Sequence, residues 1–220
     1  MSDDTAALRT LLTSISQAER EFSRAPNSVR LTIASKQQDA TRLEPLILAG
    51  HRLFGENRVQ EAAAKWPELK NKYPDLELHL IGPLQTNKTA AAVALFDVIE
   101  TLDRPSLAES LAKELPRSGR HLTFYVQVNT GGELQKAGVS PEEVDSFITL
   151  CRDDYRLDVR GLMCIPPVSG HVSPHFALLA QIAKRNNFKQ LSMGMSSDYK
   201  LAIQLGATTV RVGSALFGNR

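Results

Sequence analysis

Residues 190–214 read QLSMGMSSDYKLAIQLGATTVRVGS, and the order of events within them decides the fold. A short apolar run (190–192) meets a polar, serine-containing turn, then a helical stretch (198–205), then a second run, TTVRV (208–212). A helix between two such runs makes them parallel strands joined by a right-handed crossover. Working outward, the same alternation fills the chain. Strand candidates fall at 31–35 (LTIAS), 53–55, 77–81 (ELHLI), 97–101 (DVIET), 122–128 (LTFYVQV) and 159–163 (VRGLM). Helical stretches separate them. One surrounds Leu43, Leu46 and Ile47 and ends at Gly50; another runs through Val59, Ala62 and Ala63 and stops near Pro67; others fall at 106–115, 141–151 and 175–186. An additional N-terminal helix spans 5–22, with Leu8, Leu11, Leu12 and Ile15 on one face. The alanine-rich segment 90–94 suits close helix packing. Eight strands are the number that closes a (β/α)8 barrel, so the expected fold is one α/β TIM barrel over residues 1–220. An open doubly wound sheet shows the same alternation, and the pattern alone does not distinguish them.

Composition narrows the class of protein. The chain has 220 residues, 42% hydrophobic and 23% charged, as ordinary globular proteins do. Its apolar runs, such as 46–49 and 90–96, are far too short to span a membrane. A net charge of +2 and only 6% aromatic residues, not interleaved with basic stripes, argue against a nucleic-acid partner. The two cysteines, Cys151 and Cys164, are widely spaced and form no CxxC. The start, MSDDTAALRTLL, lacks the basic flank and long apolar stretch of a secretion signal. A cytoplasmic protein is therefore expected.

In either architecture ligands bind at the C-terminal ends of the strands. The polar residues there are Ser35-Lys36, Glu56-Asn57, 82–88, Asp103, Asn129, Pro166-Pro167, 195–198, and Arg211 with Gly213-Ser214. Serine and glycine at two successive late strand ends suit a phosphate, because small residues let backbone N–H groups approach an oxyanion. Ordinary turns and helix caps, with Ser197 or Asp198 as a cap, explain the same residues. Lys36, directly after an apolar strand, can place its amine in a barrel mouth and form a Schiff base with a carbonyl. A surface lysine snorkelling along the rim is the plainer reading. A Ser35–Lys36 hydrolase dyad fails on geometry, since adjacent strand residues point to opposite faces. His171 and His175 are spaced for a metal pair, but Pro174 argues against one helix through both. Dinucleotide and P-loop fingerprints are lacking, and no metal site is expected.

These strand ends resemble the YggS/PROSC family, the pyridoxal 5'-phosphate (PLP) homeostasis proteins. The matching stretches are ASK (34–36), FGENRVQE (54–61), HLIGPLQTNK (79–88), YVQVNTGGELQKAGV (125–139), GLMCIPP (161–167), HFALL (175–179) and LSMGMSSDYKLAIQLGATTVRVGSALFG (191–218). They cover almost the whole chain after Val29, in order. The resemblance implies a barrel similar to the alanine racemase N-terminal domain, with PLP held as a Schiff base on Lys36. It implies phosphate contacts at Ser196, Gly213 and Ser214, Arg211 facing the pyridine nitrogen, Asn57 near the cofactor and Met195 beside the ring. It further implies a monomer that supplies PLP to apo-enzymes. Within ELQK (133–136) a second acidic residue is more usual than Leu134.

An amino-acid racemase is the alternative, and an unrelated phosphate-binding barrel enzyme a third. A cationic Arg211 disfavours protonation of the pyridine nitrogen. Racemisation also needs acid–base groups on both faces of the substrate carbon. Related racemases bring a tyrosine for the second face from a further domain and a partner subunit, and with the chain ending at Arg220 no such domain is expected. Binding rather than catalysis is the expectation.

Overall fold

The computed structural model describes residues 3–133 and 135–218, so Leu134 lies outside the described residues. The strands are β1 (Arg30–Ala34), β2 (Leu53–Glu56), β3 (Glu77–Leu80), β4 (Val98–Leu102), β5 (Thr123–Gln127), β6 (Val159–Met163), β7 (Gln190–Ser192) and β8 (Thr209–Val212). All are parallel, and β1 pairs with both β2 and β8, which closes the barrel and excludes the open sheet. The helices are α1 (Asp3–Glu21), α2 (Ala40–Leu48), α3 (Val59–Lys72), α4 (Thr89–Leu95), α5 (Pro105–Ser118), α6 (Val144–Thr149), α7 (Ser173–Arg185), α8 (Tyr199–Gln204) and α9 (Ser214–Phe217). Among the described residues, no helix is long and apolar enough to cross a membrane.

The wall has two different faces. Ile33, Phe54, Leu78, Ile99, Phe124, Leu162 and Val210 belong to the main apolar core, packed against the helices. Each such side chain contributes about 1.5–3 kcal/mol by leaving water. Their strand neighbours turn the other way, as the two-residue period of a strand requires. These include Thr32, His79, Glu100, Ser192 and Arg211, all buried, together with a small separate apolar cluster of Val98, Tyr125 and Met163.

Because α9 is only four residues long, α1 packs beside it, against α8 and α2, and covers that side of the barrel. Leu8, Leu11, Ile15 and Ala18 are its buried stripe. Leu12 departs from the expected face: it stands about 100° round the helix from Leu11 and is 42% exposed. The buried Glu19 ties α1 to the barrel by accepting N–H bonds from Asn27 (3.1 Å) and Val29 (2.8 Å).

Helix α3 does not stop near Pro67 but runs through it to Lys72. Trp66 and Leu69, both buried, hold the segments on either side. Beyond the proline, Lys70 pairs with Asp97 at 2.6 Å. These contacts outweigh the one backbone donor that proline lacks.

Candidate functional site

Lys36 sits in the turn after β1, and its neighbours fix that turn from behind. Ser35, fully buried, points away from the mouth and donates to Glu56 Oε1 at 2.6 Å. The Lys65 ammonium reaches the same carboxylate at 2.7 Å and donates to the carbonyls of Ser35 (2.9 Å) and Gln38 (2.8 Å). The Trp66 indole N–H also donates to Glu56 Oε1, at 3.0 Å. Gln37 has a left-handed φ of 59°, and its N–H donates to Glu61. Such a backbone costs a non-glycine residue about 1–2 kcal/mol. With Ser35 on one side of the wall and Lys36 exposed at the mouth, the two form no dyad. Glu56, read from the sequence as a strand-end site residue, faces α3 instead.

Across the β1–β8 seam lies the second part of the site. Lys36, Gly213 and Ser214 line one cavity of about 230 Å³, together with Ala34, Gln38 and Phe217. Any Cβ on Gly213 would stand 3.1 Å from the Ala34 carbonyl oxygen, so glycine keeps this wall open. The hydroxyl of Ser196 accepts the Ala215 N–H at 3.2 Å, bringing the β7 loop to the start of α9. Arg42 braces the far side: its guanidinium lies 4.9 Å from the Phe217 ring centre and its Nη2 donates to the Phe217 carbonyl. Met195 is on the same β7 loop. Asp198 stands at the start of α8, but its carboxylate accepts the Met195 N–H at 2.6 Å instead of capping the helix.

Asn57 and Arg211 are placed differently from these. Asn57 lines a neighbouring groove of about 870 Å³, with Arg58, Gln85, Lys88 and Arg104. Gly82 touches the Asn57 backbone so closely that a Cβ would lie 2.3 Å from its carbonyl oxygen. Arg211 lies within β8 and points into the lumen, 5% exposed. It donates from Nη1 to Ser192 Oγ at 2.7 Å and from Nη2 to the Cys164 carbonyl at 2.8 Å.

Sequence reasoning missed the residues behind Arg211. Ser192 donates to Glu100 Oε2 at 2.5 Å, and Glu100 Oε1 meets His79 Nδ1 at 2.6 Å. His79 Nε2 meets Glu77 Oε1 at 2.8 Å, and Arg30 closes the row by pairing with Glu77. Burial alone would disfavour charge on His79, but the bonds to Glu100 and Glu77 raise its pKa. Burial would likewise raise the Glu77 carboxyl, yet His79 and Arg30 hold it down at about 2. The Glu100 carboxyl is also lowered: His79 and Arg211 overcome its burial. Cys151 and Cys164 are free and buried, and burial pushes both thiols up to about 12.

Among the described residues, no cluster of three or more His, Cys, Asp or Glu is arranged to hold a metal ion. Helix α7 begins at Ser173, after His171, so one helix does not carry both histidines. His175 Nδ1 instead meets the Thr130 carbonyl at 3.0 Å.

With this geometry established, four likenesses stand out. The alanine racemase N-terminal domain family matches residues 16–220. The pyridoxal phosphate homeostasis protein of Vibrio alginolyticus is 38% identical over 215 residues, covering 92% of this chain and 91% of that protein. PipY of Synechococcus elongatus PCC7942, solved with PLP bound, is 36% identical with a TM-score of 0.83, covering 98% of this chain and all of that one. An alanine racemase of Clostridium difficile 630 shares the fold at 14% identity and a TM-score of 0.71, over 95% of this chain and 56% of its own.

Proposed function

This chain belongs to the pyridoxal phosphate homeostasis family, built on the alanine racemase N-terminal domain, and on that premise we propose that it binds PLP through Lys36 and keeps it available to other enzymes. The observation that carries the reading is the shared cavity: an amine, Lys36, and the small residues Gly213 and Ser214 face one space. The donor set fits the cofactor. Ser196 and Ser214 offer hydroxyls and Gly213 an unobstructed backbone, suited to a dianionic phosphate because hydrogen bonds to charged groups are the stronger ones. When bound, PLP supplies an aldehyde that an amine captures reversibly as a Schiff base. Lys36 is the amine in this reading, and the turn behind it is held by Glu56 and Lys65. Arg211 would supply a permanent cation near the ring nitrogen, and Met195 and Asn57 would be further contacts to the cofactor. That PipY was solved with PLP bound supports PLP as the ligand of this chain.

Holding the cofactor, rather than turning over a substrate, is the second part of the proposal. A cation at the ring nitrogen opposes the protonation that strengthens PLP as an electron sink. Tyr73 is engaged with Glu44, Tyr125 with Gln190 and Tyr199 with Ser14, each away from the Lys36 cavity. Relatives named as homeostasis proteins support the same reading. Apo PLP-dependent enzymes are the partners proposed.

The test is an absorption titration with PLP and with unphosphorylated pyridoxal. PLP is expected to give a visible band that Lys36→Ala abolishes, and pyridoxal to bind at least tenfold more weakly, about 1.4 kcal/mol. Equal affinities would remove the phosphate cup. Single L-amino acids, incubated with the loaded protein in deuterated solvent, should show no turnover in the ordinary range of about 1–10³ s⁻¹. Turnover that depends on Lys36 would favour the racemase.

A further inference from the structure

The lumen holds a row of ionic groups where a barrel of this size ordinarily packs branched aliphatic side chains. It starts at Arg30 and Glu77, the first residues of β1 and β3, and ends at Arg211 near the C-terminal end of β8. Glu100, Ser192 and His79 in its middle are at most 1% exposed. An arginine carries only donors, and an ionised carboxylate only acceptors. The direction of every bond is therefore set: Arg211 donates to Ser192, and Ser192 donates to Glu100. Both His79 nitrogens face carboxylates, so the ring donates twice, as an imidazolium. Three cations, Arg30, His79 and Arg211, stand against two anions, Glu77 and Glu100. Tyr125, also in the lumen, adds a hydroxyl bonded to Gln190.

Buried charge of this kind costs stability relative to an apolar core, and removing one partner from it costs more. Its placement has one consequence at the mouth. Arg211 Nη1 is 3.9 Å from Glu100 Oε2, bridged by the Ser192 hydroxyl, while Nη2 is fixed on the Cys164 carbonyl. The guanidinium is thus held at two points, and its positive charge is partly offset from below.

We propose that Glu100, acting through Ser192 and kept in place by His79, is a positioning residue for Arg211 that sets the charge felt by the ring of the bound cofactor. This rests on the reading of Arg211 as the neighbour of the ring nitrogen. Removing the anion while keeping the shape, by Glu100→Gln, leaves Arg211 less compensated. A more positive surrounding disfavours a cationic chromophore, so the pH midpoint of the cofactor's visible band should fall. Removing the cation, by Arg211→Gln, should move it up.

The experiment is a pH titration of that band in the PLP-loaded full-length protein, its variants matched by near-ultraviolet circular dichroism. Glu100→Gln should lower the midpoint by about half a pH unit or more, and Arg211→Gln should raise it. Ser192→Ala changes no charge and should lower it by a smaller amount; it carries the test if Glu100→Gln does not fold. A midpoint that Arg211→Gln moves but Glu100→Gln and Ser192→Ala leave unchanged overturns the positioning role, while the cofactor reading stands. A midpoint unmoved by Arg211→Gln removes Arg211 from the ring nitrogen, and the positioning role falls with it.

Discussion

Glu56 and Glu100 are both fully buried carboxylates, on opposite faces of the same barrel wall. Glu56 faces α3 and gathers Ser35, Lys65 and Trp66 on one oxygen, leaving Oε2 without a partner among the described residues. Glu100 faces the lumen and uses both oxygens, one for His79 and one for Ser192. The first arrangement holds a stretch of backbone, the turn that carries Lys36. The second holds a charged side chain, Arg211. The same residue type thus serves shape on one side of the wall and electrostatics on the other.

Three substitutions sharpen that contrast or break it. Glu56→Ala should have the largest effect, because it strands the buried Lys65 ammonium; about 3–5 kcal/mol of stability should be lost. Denaturant unfolding measures this, and a loss under about 1 kcal/mol would mean that Glu56 does not hold the turn. Lys65→Met leaves the buried Glu56 carboxylate without its cation, and with Ser35 and Trp66 still donating to it the loss should be about 3 kcal/mol, the low end of the same range. The same substitution should also slow capture of PLP, since the Ser35 and Gln38 carbonyls lose their anchor. Unchanged capture, followed by the growth of the visible band, would separate the Glu56 cluster from the function of Lys36.

The smallest expected effect lies in the lumen and depends on pH. With its carboxyl held at about 2 against an ordinary 4.5, Glu77 contributes stability above pH 4.5 that disappears as the pH falls toward 2. His79 has the opposite sign. Its raised pKa contributes stability below its ordinary 6.5, lost as the pH climbs through the raised value. The stability difference between the native protein and Glu77→Gln should therefore shrink between pH 4.5 and 2. A difference that stays constant through that window would show that His79 and Arg30 do not hold the Glu77 carboxylate.

Much of this was legible in the residues. Strand–helix alternation gave eight strands, and Lys36, Gly213 and Ser214 stood out as polar or small residues just past strand ends. Closure was not legible, because it rests on the pairing of β1 with β8, the two strands farthest apart in the chain. The lumen row was hidden for a related reason. A closed barrel buries both faces of every strand: ELHLI still alternates, with Glu77 and His79 opposite Leu78 and Leu80, but DVIET shows no clean alternation to reveal which way Glu100 points. A shift in register within β4, between Ile99 and Leu102, blurs the parity further. The direction of Glu56 was not legible, because a strand-end carboxylate looks alike whether it faces the mouth or α3. Lys65 and Trp66, about two turns into α3, are the residues that draw it there.

The most direct test of the central assignment is chemical. The PLP-loaded protein is reduced with borohydride, digested, and its peptides are mapped by mass. Reduction fixes the cofactor to whichever amine carries it. The expected result is a pyridoxyl phosphate label on the peptide containing Lys36 and its loss in Lys36→Ala; the same label on Lys88, Lys136 or another lysine, with Lys36 unmodified, would contradict the assignment.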